Sequence, residues 1–400
     1  MADAPPPRWR TVVGTLALTE LVSWGILYYA FGALVPAMQA ELGWSQGFLG
    51  GAFSLALFVS ALLAVPVGRW LDRHGPRGLM TLGSCAGALL VAAWAEVEHP
   101  LAFYVLFALL GFPLAGVLYE AAFGALVGFL GSGRRTDKAL LLLTIVAGFA
   151  STVFVPVTRA LERELGWRGA LWALAAGLAL ATVPLHALVL PRDRAAALPG
   201  DPGRAPEGGA AAGGGVEARR LYLCAAAFAL ATVAGTSLGV YQVPILVEQG
   251  HGATVIAAAA TVFGLGQACG RLLFTWLRPR YALATWSGLL FAPCALGLVA
   301  VATGRGAATS LAGIFLFALA SGGQTLGRAA WALGLFPVVH FARVNGVLGL
   351  WSLLGRAGAP LALGAAHDWT GSHRPGLVAL ALLSLLGGAL AWRSATGRVR

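Results

Sequence analysis

The sequence predicts an all-α integral membrane protein: twelve transmembrane helices in two six-helix halves, with both termini cytosolic. Three observations carry this expectation. Of the 400 residues, 58% are hydrophobic and only 11% are charged, where an ordinary globular domain has roughly 45–50% apolar and about 25% charged residues. Apolar runs long enough to cross the hydrocarbon of a bilayer, roughly 20 residues each, recur along the whole chain. One stretch at 191–218 divides those runs six and six. So few charges cannot cover a water-soluble fold of this size. That excludes a cytosolic enzyme and a nucleic-acid binder, despite a net charge of +11.

The runs follow in order. The first, 10–36, is too long for a signal-peptide core and lacks a cleavage site, so it reads as a retained span. It carries Glu20 about 15 Å from its start at 1.5 Å per residue. Trp24 and Tyr28 follow at i+4 and i+8 on the same face. The second run, 45–71, ends in a charged turn. The third is 77–96. The fourth, 101–129, holds Tyr119 and Glu120. The fifth and sixth are 138–161 and 167–190. Residues 1–190 then form the N-terminal half.

The stretch 191–218 is rich in Gly, Pro and Ala, mixes its charges and has no periodicity. It reads as a flexible cytosolic linker. The second half, 219–400, begins with the run 219–247, which carries Thr232, Thr236, Tyr241 and Gln242. The eighth run, 253–276, places Arg271 one turn after Gln267. The ninth is 281–302. The tenth, 307–333, places Arg328 one turn after Gln324. Arg356 lies near the middle of the eleventh, 342–365, and the twelfth is 374–393.

The two halves repeat weakly. Arg328 in TLGRAAW matches Glu120 in VLYEAAF at an offset of 208, and Pro244 matches Pro36 at the same offset. Equivalent halves of this kind describe a transporter with its site near the midplane. With a cytosolic N-terminus, 21 of the 27 Lys and Arg residues fall at cytosolic ends or loops, as the positive-inside rule requires. The expected location is the cytoplasmic membrane of a bacterium. Cys85, Cys224, Cys269 and Cys294 all lie inside apolar runs and read as small core residues. No spacing suggests a metal site or a disulfide framework.

Between the second and third runs stands Gly68-Arg69-Trp70-Leu71-Asp72-Arg73-His74-Gly75-Pro76-Arg77. Gly75 and Pro76 suit a tight turn. Asp72 falls at a helix C-terminus, where the helix dipole disfavours an anion. It therefore calls for a partner: Arg73, Arg77 or the N-terminus of another helix.

In this loop the chain resembles the major facilitator superfamily, whose signature is G-x-x-x-D-R-x-G-x-R. Gly68, Asp72, Arg73, Gly75 and Arg77 match it. The resemblance implies the major facilitator fold, and a latch that joins the halves in the outward-facing state. Asp72 would then meet the start of the eleventh helix near Arg343. In the second half Gly270-Arg271 resembles the start of a second copy, but no Asp follows at the matching spacing. Gly43-Trp44-Ser45, Gly166-Trp167-Arg168 and Gly270-Arg271 also resemble the monocarboxylate-porter branch and its bacterial relatives. The acidic motif of that branch is loosely echoed by Glu20-Leu21-Val22-Ser23-Trp24.

Ionisable residues inside spans are costly and mark a site or a buried pair. Both carboxylates, Glu20 and Glu120, are in the first half, and Arg271, Arg328 and Arg356 are in the second. In the resembled family helices one, four, seven and ten line the cavity, which would place Glu20, Glu120 and Arg328 on its wall. Glu120 either pairs with Arg328 or faces solute. Arg328 and Arg356 offer an electropositive wall to an anion, and Arg271 either joins it or snorkels to the cytosolic face. Glu20 is the proton-site candidate. Trp24, Tyr28, Tyr119, Tyr241, Gln242 and Gln324 are candidates for a solute pocket or for ordinary packing. His186, His340, His367 and His373 read as interfacial.

No Walker loop, HExxH, paired CxxC or nucleophile elbow occurs. The expectation is a non-enzymatic secondary transporter without cofactor, driven by a gradient. It would move a small organic solute, carboxylates favoured, in symport with H+, as a monomer in the lipid bilayer. Drug or toxic-solute efflux, and a non-transporting sensor on the same scaffold, are the alternatives.

Overall fold

The computed structural model describes residues 9–131, 134–192, 215–304, 306–336 and 341–396. Most of the linker expected at 191–218, together with His340, lies outside them. Among the described residues the secondary structure is entirely helical. Eleven helical stretches there are long and apolar enough to cross a membrane. One of the eleven, Lys138–Val189, covers both the fifth and the sixth expected runs. It contains Gly166 in a non-helical conformation with φ 70°. Leu89, Leu180 and Leu188 are each more than 70% exposed, an arrangement favourable against lipid tails and not against water.

The chain forms two compact units. The first comprises Met1–Ala37 and Leu55–Gly209, the second Met38–Ser54 and Ala210–Arg400. In the first unit, α1 (Trp9–Trp24) passes through a π-helical turn, Gly25–Tyr29, into α2 (Ala30–Leu42). Then come α3 (Gln46–His74), α4 (Pro76–Ala95), α5 (Pro100–Val117), α6 (Tyr119–Leu130), α7 (Arg134–Gly148) and α8 (Ala150–Val189). Its core packs Leu16, Val67, Leu71, Met80, Leu126 and Leu143.

The fourth expected run is thus broken into α5 and α6. Leu118 between them is extended at φ −87° and ψ −168°. Gly111, Pro113 and Gly116, all poor helix residues, lie in the last two turns before the break.

The second unit contains α9 (Gly215–Glu248), α10 (Ala253–Leu277), α11 (Leu283–Thr303), α12 (Ala307–Leu335), α13 (Phe341–Thr370) and α14 (Arg374–Thr396). Phe228, Phe274, Trp286, Leu290, Phe291 and Trp331 form its core. α10 and α12 touch through glycines. A Cβ on Gly270 would overlap the carbonyl of Leu319, and one on Gly322 would overlap the backbone of Gln267.

Residues 38–54 join this unit through polar contacts with α9 and α13. Asp368 Oδ1 and Oδ2 accept the N–H groups of Gln46 and Gly47 at 3.0 and 2.7 Å. Tyr241 Oη lies 3.1 Å from the Gln46 carbonyl and 3.0 Å from that of Pro360. Ser54 Oγ accepts the N–H of Leu361 at 2.9 Å.

Candidate functional site

The first unit gathers five of the expected residues around two breaks in helix geometry. Glu20 in α1 is fully buried. Its Oε2 accepts the Trp24 indole N–H at 3.0 Å, so the i+4 spacing brings the two together. Its Oε1 is buried without a hydrogen-bond partner. A buried, half-satisfied carboxylate is costly, and such groups mark functional sites.

The ring of Trp24 packs edge-on against Tyr28 at 5.1 Å and against Tyr119 at 4.9 Å. Tyr28 belongs to the π-helical turn, a feature common at functional sites. Tyr119 and Glu120 open α6, immediately after the break at Leu118. The first turn of a helix favours a negative charge such as that of Glu120.

Glu120 also lines a cavity of about 130 Å³, whose wall includes Gly68, Asp72, Gly75, Gly124 and Phe129. The motif turn is built as its sequence suggests. Gly75 takes φ 73° and ψ 176°, and Pro76 starts α4. Arg77 Nε donates to the Leu190 carbonyl at 2.7 Å and its Nη2 to that of Leu188 at 3.2 Å. The guanidinium therefore satisfies carbonyls left open at the end of α8. Asp72 and Arg73 are exposed. The side chain of Arg343 lies outside the described residues.

In the second unit Arg271 is buried on α10, and its Nη2 donates to Gln267 Oε1 at 3.2 Å. The glycine contacts between α10 and α12 fix both residues. Arg328 and Arg356 are half-buried. Gln242 is buried on α9 with its amide nitrogen unpartnered.

Two other expected pocket residues act as packing ties. Gln324 Nε2 donates to the Leu290 carbonyl at 2.9 Å and fastens α12 to α11. Tyr241 has no exposed surface, and its hydroxyl serves the Gln46 and Pro360 carbonyls. Polar side chains at helical spacing look alike in a sequence whether they face a pocket or a neighbouring helix.

Two of the histidines expected at span ends are buried within the protein. His186 is fully buried, with Nδ1 2.8 Å from Ser84 Oγ. His373 is buried as well, in contact with Glu248 and Gln46. Burial pushes His373 below the usual histidine range, against the opposing pull of Glu248. Glu248 and Asp368 were not singled out in the sequence, because both fall at the ends of apolar runs and resemble ordinary loop charges.

Residues 16–360 match the Major Facilitator Superfamily. The chain is 30% identical over 393 residues to Monocarboxylate transporter 11 of Mus musculus, a match covering 92% of this chain and 84% of that protein. Against Monocarboxylate transporter 11 of Homo sapiens the identity is 31% over 396 residues, covering 92% and 79%. The fold is similar to the crystal structure of a bacterial homolog to the human lysosomal transporter Spinster, in an inward-facing and occupied conformation. That similarity has a TM-score of 0.76 at 15% identity and covers 98% of this chain and 97% of the other.

Proposed function

The chain belongs to the Major Facilitator Superfamily and is a multi-pass membrane transporter, not an enzyme; from that premise we propose that it carries a small organic carboxylate by alternating access, coupled to protons. The observation that carries this reading is the segregation of charge within the helices. Arg271, Arg328 and Arg356 stand on the second unit's helices, and Glu20 and Glu120 on the first's. Arg271 is buried and donates to Gln267. A guanidinium is suited to hold a carboxylate through two parallel hydrogen bonds. Glu20, buried and half-satisfied, is the group that takes up the proton. The likeness to monocarboxylate transporters supports the same class of solute.

The twelve-span topology, both termini in the cytosol, a bacterial cytoplasmic membrane and a monomeric carrier complete the proposal. The arginine distribution supports the orientation. A reporter fused after Arg400 should be active in the cytosol, and activity outside would reverse it.

The transport test uses purified protein in liposomes with labelled monocarboxylates. Uptake should saturate, rise with an acid-outside gradient, and fall steeply in Arg271→Gln. A second reading rests on Glu20 among Trp24, Tyr28 and Tyr119, since a carboxylate lined by aromatic rings also suits an organic cation. Transport of cationic amphiphiles with no carboxylate uptake would select drug efflux. Binding without any flux would select a sensor.

A further inference from the structure

Three ionisable side chains from separate segments converge at one end of the second unit. Glu248 closes α9, His367 lies in the last turn of α13, and His373 stands in the turn before α14. One donor atom from each falls within 4.8 Å of the other two. His373 Nδ1 contacts Glu248 Oε2. His367 Nε2 lies 3.6 Å from the same oxygen. The two imidazole rings are 4.3 Å apart, centre to centre.

The remaining atoms of the three groups are arranged in a particular way. His373 Nε2 is 2.8 Å from Gln46 Oε1. His367 Nδ1 is 3.8 Å from Asp368 Oδ1. Glu248 Oε1 accepts from Ser372 Oγ at 2.7 Å and from the His373 N–H at 3.2 Å. Each histidine thus turns one nitrogen toward Glu248 Oε2, and the other nitrogen of His373 meets an oxygen acceptor, while His367 Nδ1 is buried without a hydrogen-bond partner. His373 has the division of a metal-bound imidazole: one nitrogen gives its lone pair to the ion, and the other donates its N–H to a carbonyl or carboxylate. A simple ion pair with Glu248 needs only one histidine. It gives no reason for a second ring stacked beside the first and aimed at the same oxygen.

We propose that Glu248, His367 and His373 bind one divalent transition-metal ion of the zinc class. Two imidazole nitrogens and one carboxylate oxygen suit zinc, whereas magnesium and calcium call for oxygen donors. Glu248 and His367 are partly exposed, so the ion enters from solvent. Binding ties α9 to the end of α13 and to the turn before α14. Asp368, adjacent to His367, holds the first turn of α3. The bound ion therefore stabilises the seating of residues 38–54 on this unit, and zinc acts as a brake on any motion that unseats them. The three ligands are far apart in the sequence, so no short ligand spacing announces them.

The test uses full-length protein in detergent, without a histidine tag and without solute. Zinc chloride is titrated calorimetrically, and cobalt chloride is followed by visible absorption. Wild type should bind one zinc ion per chain, unaffected by excess magnesium, and cobalt should give the intense bands of a four-coordinate site. Glu248→Gln with His367→Gln should abolish this binding. Unchanged zinc affinity in the double variant overturns the proposal. Weak, six-coordinate cobalt bands in wild type overturn it equally, and that measurement needs no variant to fold. Because no solute is present, failure of the transport reading leaves the result intact.

Discussion

Asp368 caps a helix to which it is not adjacent in sequence: its two carboxylate oxygens accept the N–H groups of Gln46 and Gly47 at the start of α3, at 3.0 and 2.7 Å. The first N–H groups of a helix have no partner within it, and the positive end of the helix dipole favours an anion there. The close approach depends on Gly47, since a Cβ at that position would overlap the Asp368 carboxylate. This contact is one reason why residues 38–54 group with the second unit.

Replacing Asp368 with Ala should therefore cost about 1–2 kcal/mol, the usual range for a lost cap. Asp368→Asn should cost less, because one amide oxygen still accepts. Thermal melts of the detergent-solubilised protein, run with a chelator to remove any metal effect, should rank wild type above Asn above Ala. Identical melting temperatures would mean that the cap contributes nothing measurable.

The glycines of the signature turn should separate into two classes. Gly75 has φ 73° and ψ 176°, a region nearly closed to L residues, where a side chain costs about 1–3 kcal/mol. A Cβ on Gly68 meets nothing within 4 Å. Gly75→Ala should reduce the yield of folded protein, and Gly68→Ala should leave it at wild-type level. Fluorescence-detected size exclusion reads both. Equal yields would argue that the turn tolerates a side chain and that its geometry is not set by Gly75.

Glu20→Gln keeps the shape of the side chain and an oxygen to accept the Trp24 N–H, but it cannot take up a proton. If Glu20 is the proton site, gradient-driven uptake should fall by more than about tenfold, while exchange of labelled for unlabelled solute continues, as exchange needs no net proton movement. Loss of both activities together would assign Glu20 to the fold or to solute binding. Retention of gradient-driven uptake would move the proton site elsewhere.

The all-helical membrane fold was legible because burial in lipid demands long apolar runs, and such runs survive in composition alone. The pairing of Glu20 with Trp24, and of Arg271 with Gln267, was legible for the same local reason: residues four apart share a helix face. The break at Leu118 and the π-helical turn at Gly25–Tyr29 were not. Several glycine- or proline-containing stretches of this chain remain helical, as α3 does at Pro66, so local composition alone does not mark the break. The network of Gln46, Glu248, Asp368 and His373 was invisible because it depends on which helix ends meet. Tyr241 is a related case. Its residue type left pocket and packing open, and its neighbours make it a tie between two backbones.

The last expectation concerns Arg328 and Glu120, which the weak sequence repeat aligns with each other. Glu120 stands in the first turn of α6, where helix N–H groups already favour its charge. Arg328 is half-buried on α12, and a guanidinium at that depth is costly unless an anion meets it. If the solute carboxylate is that anion, Arg328→Gln should raise the KM for uptake by about 10- to 100-fold. That corresponds to the roughly 1.5–3 kcal/mol of a charge-assisted hydrogen bond. Arg328→Lys should be intermediate, because an ammonium cannot form the two-pronged contact. If Glu120 is the anion instead, the prediction reverses. Glu120→Gln and Arg328→Gln would each reduce transport, and the two together would restore it by removing both members of a buried pair. Measuring KM and maximal rate in all four proteins separates these outcomes. Full recovery in the double variant takes Arg328 out of the solute site and makes it part of a gate. A KM that stays high in the double variant keeps it on the solute.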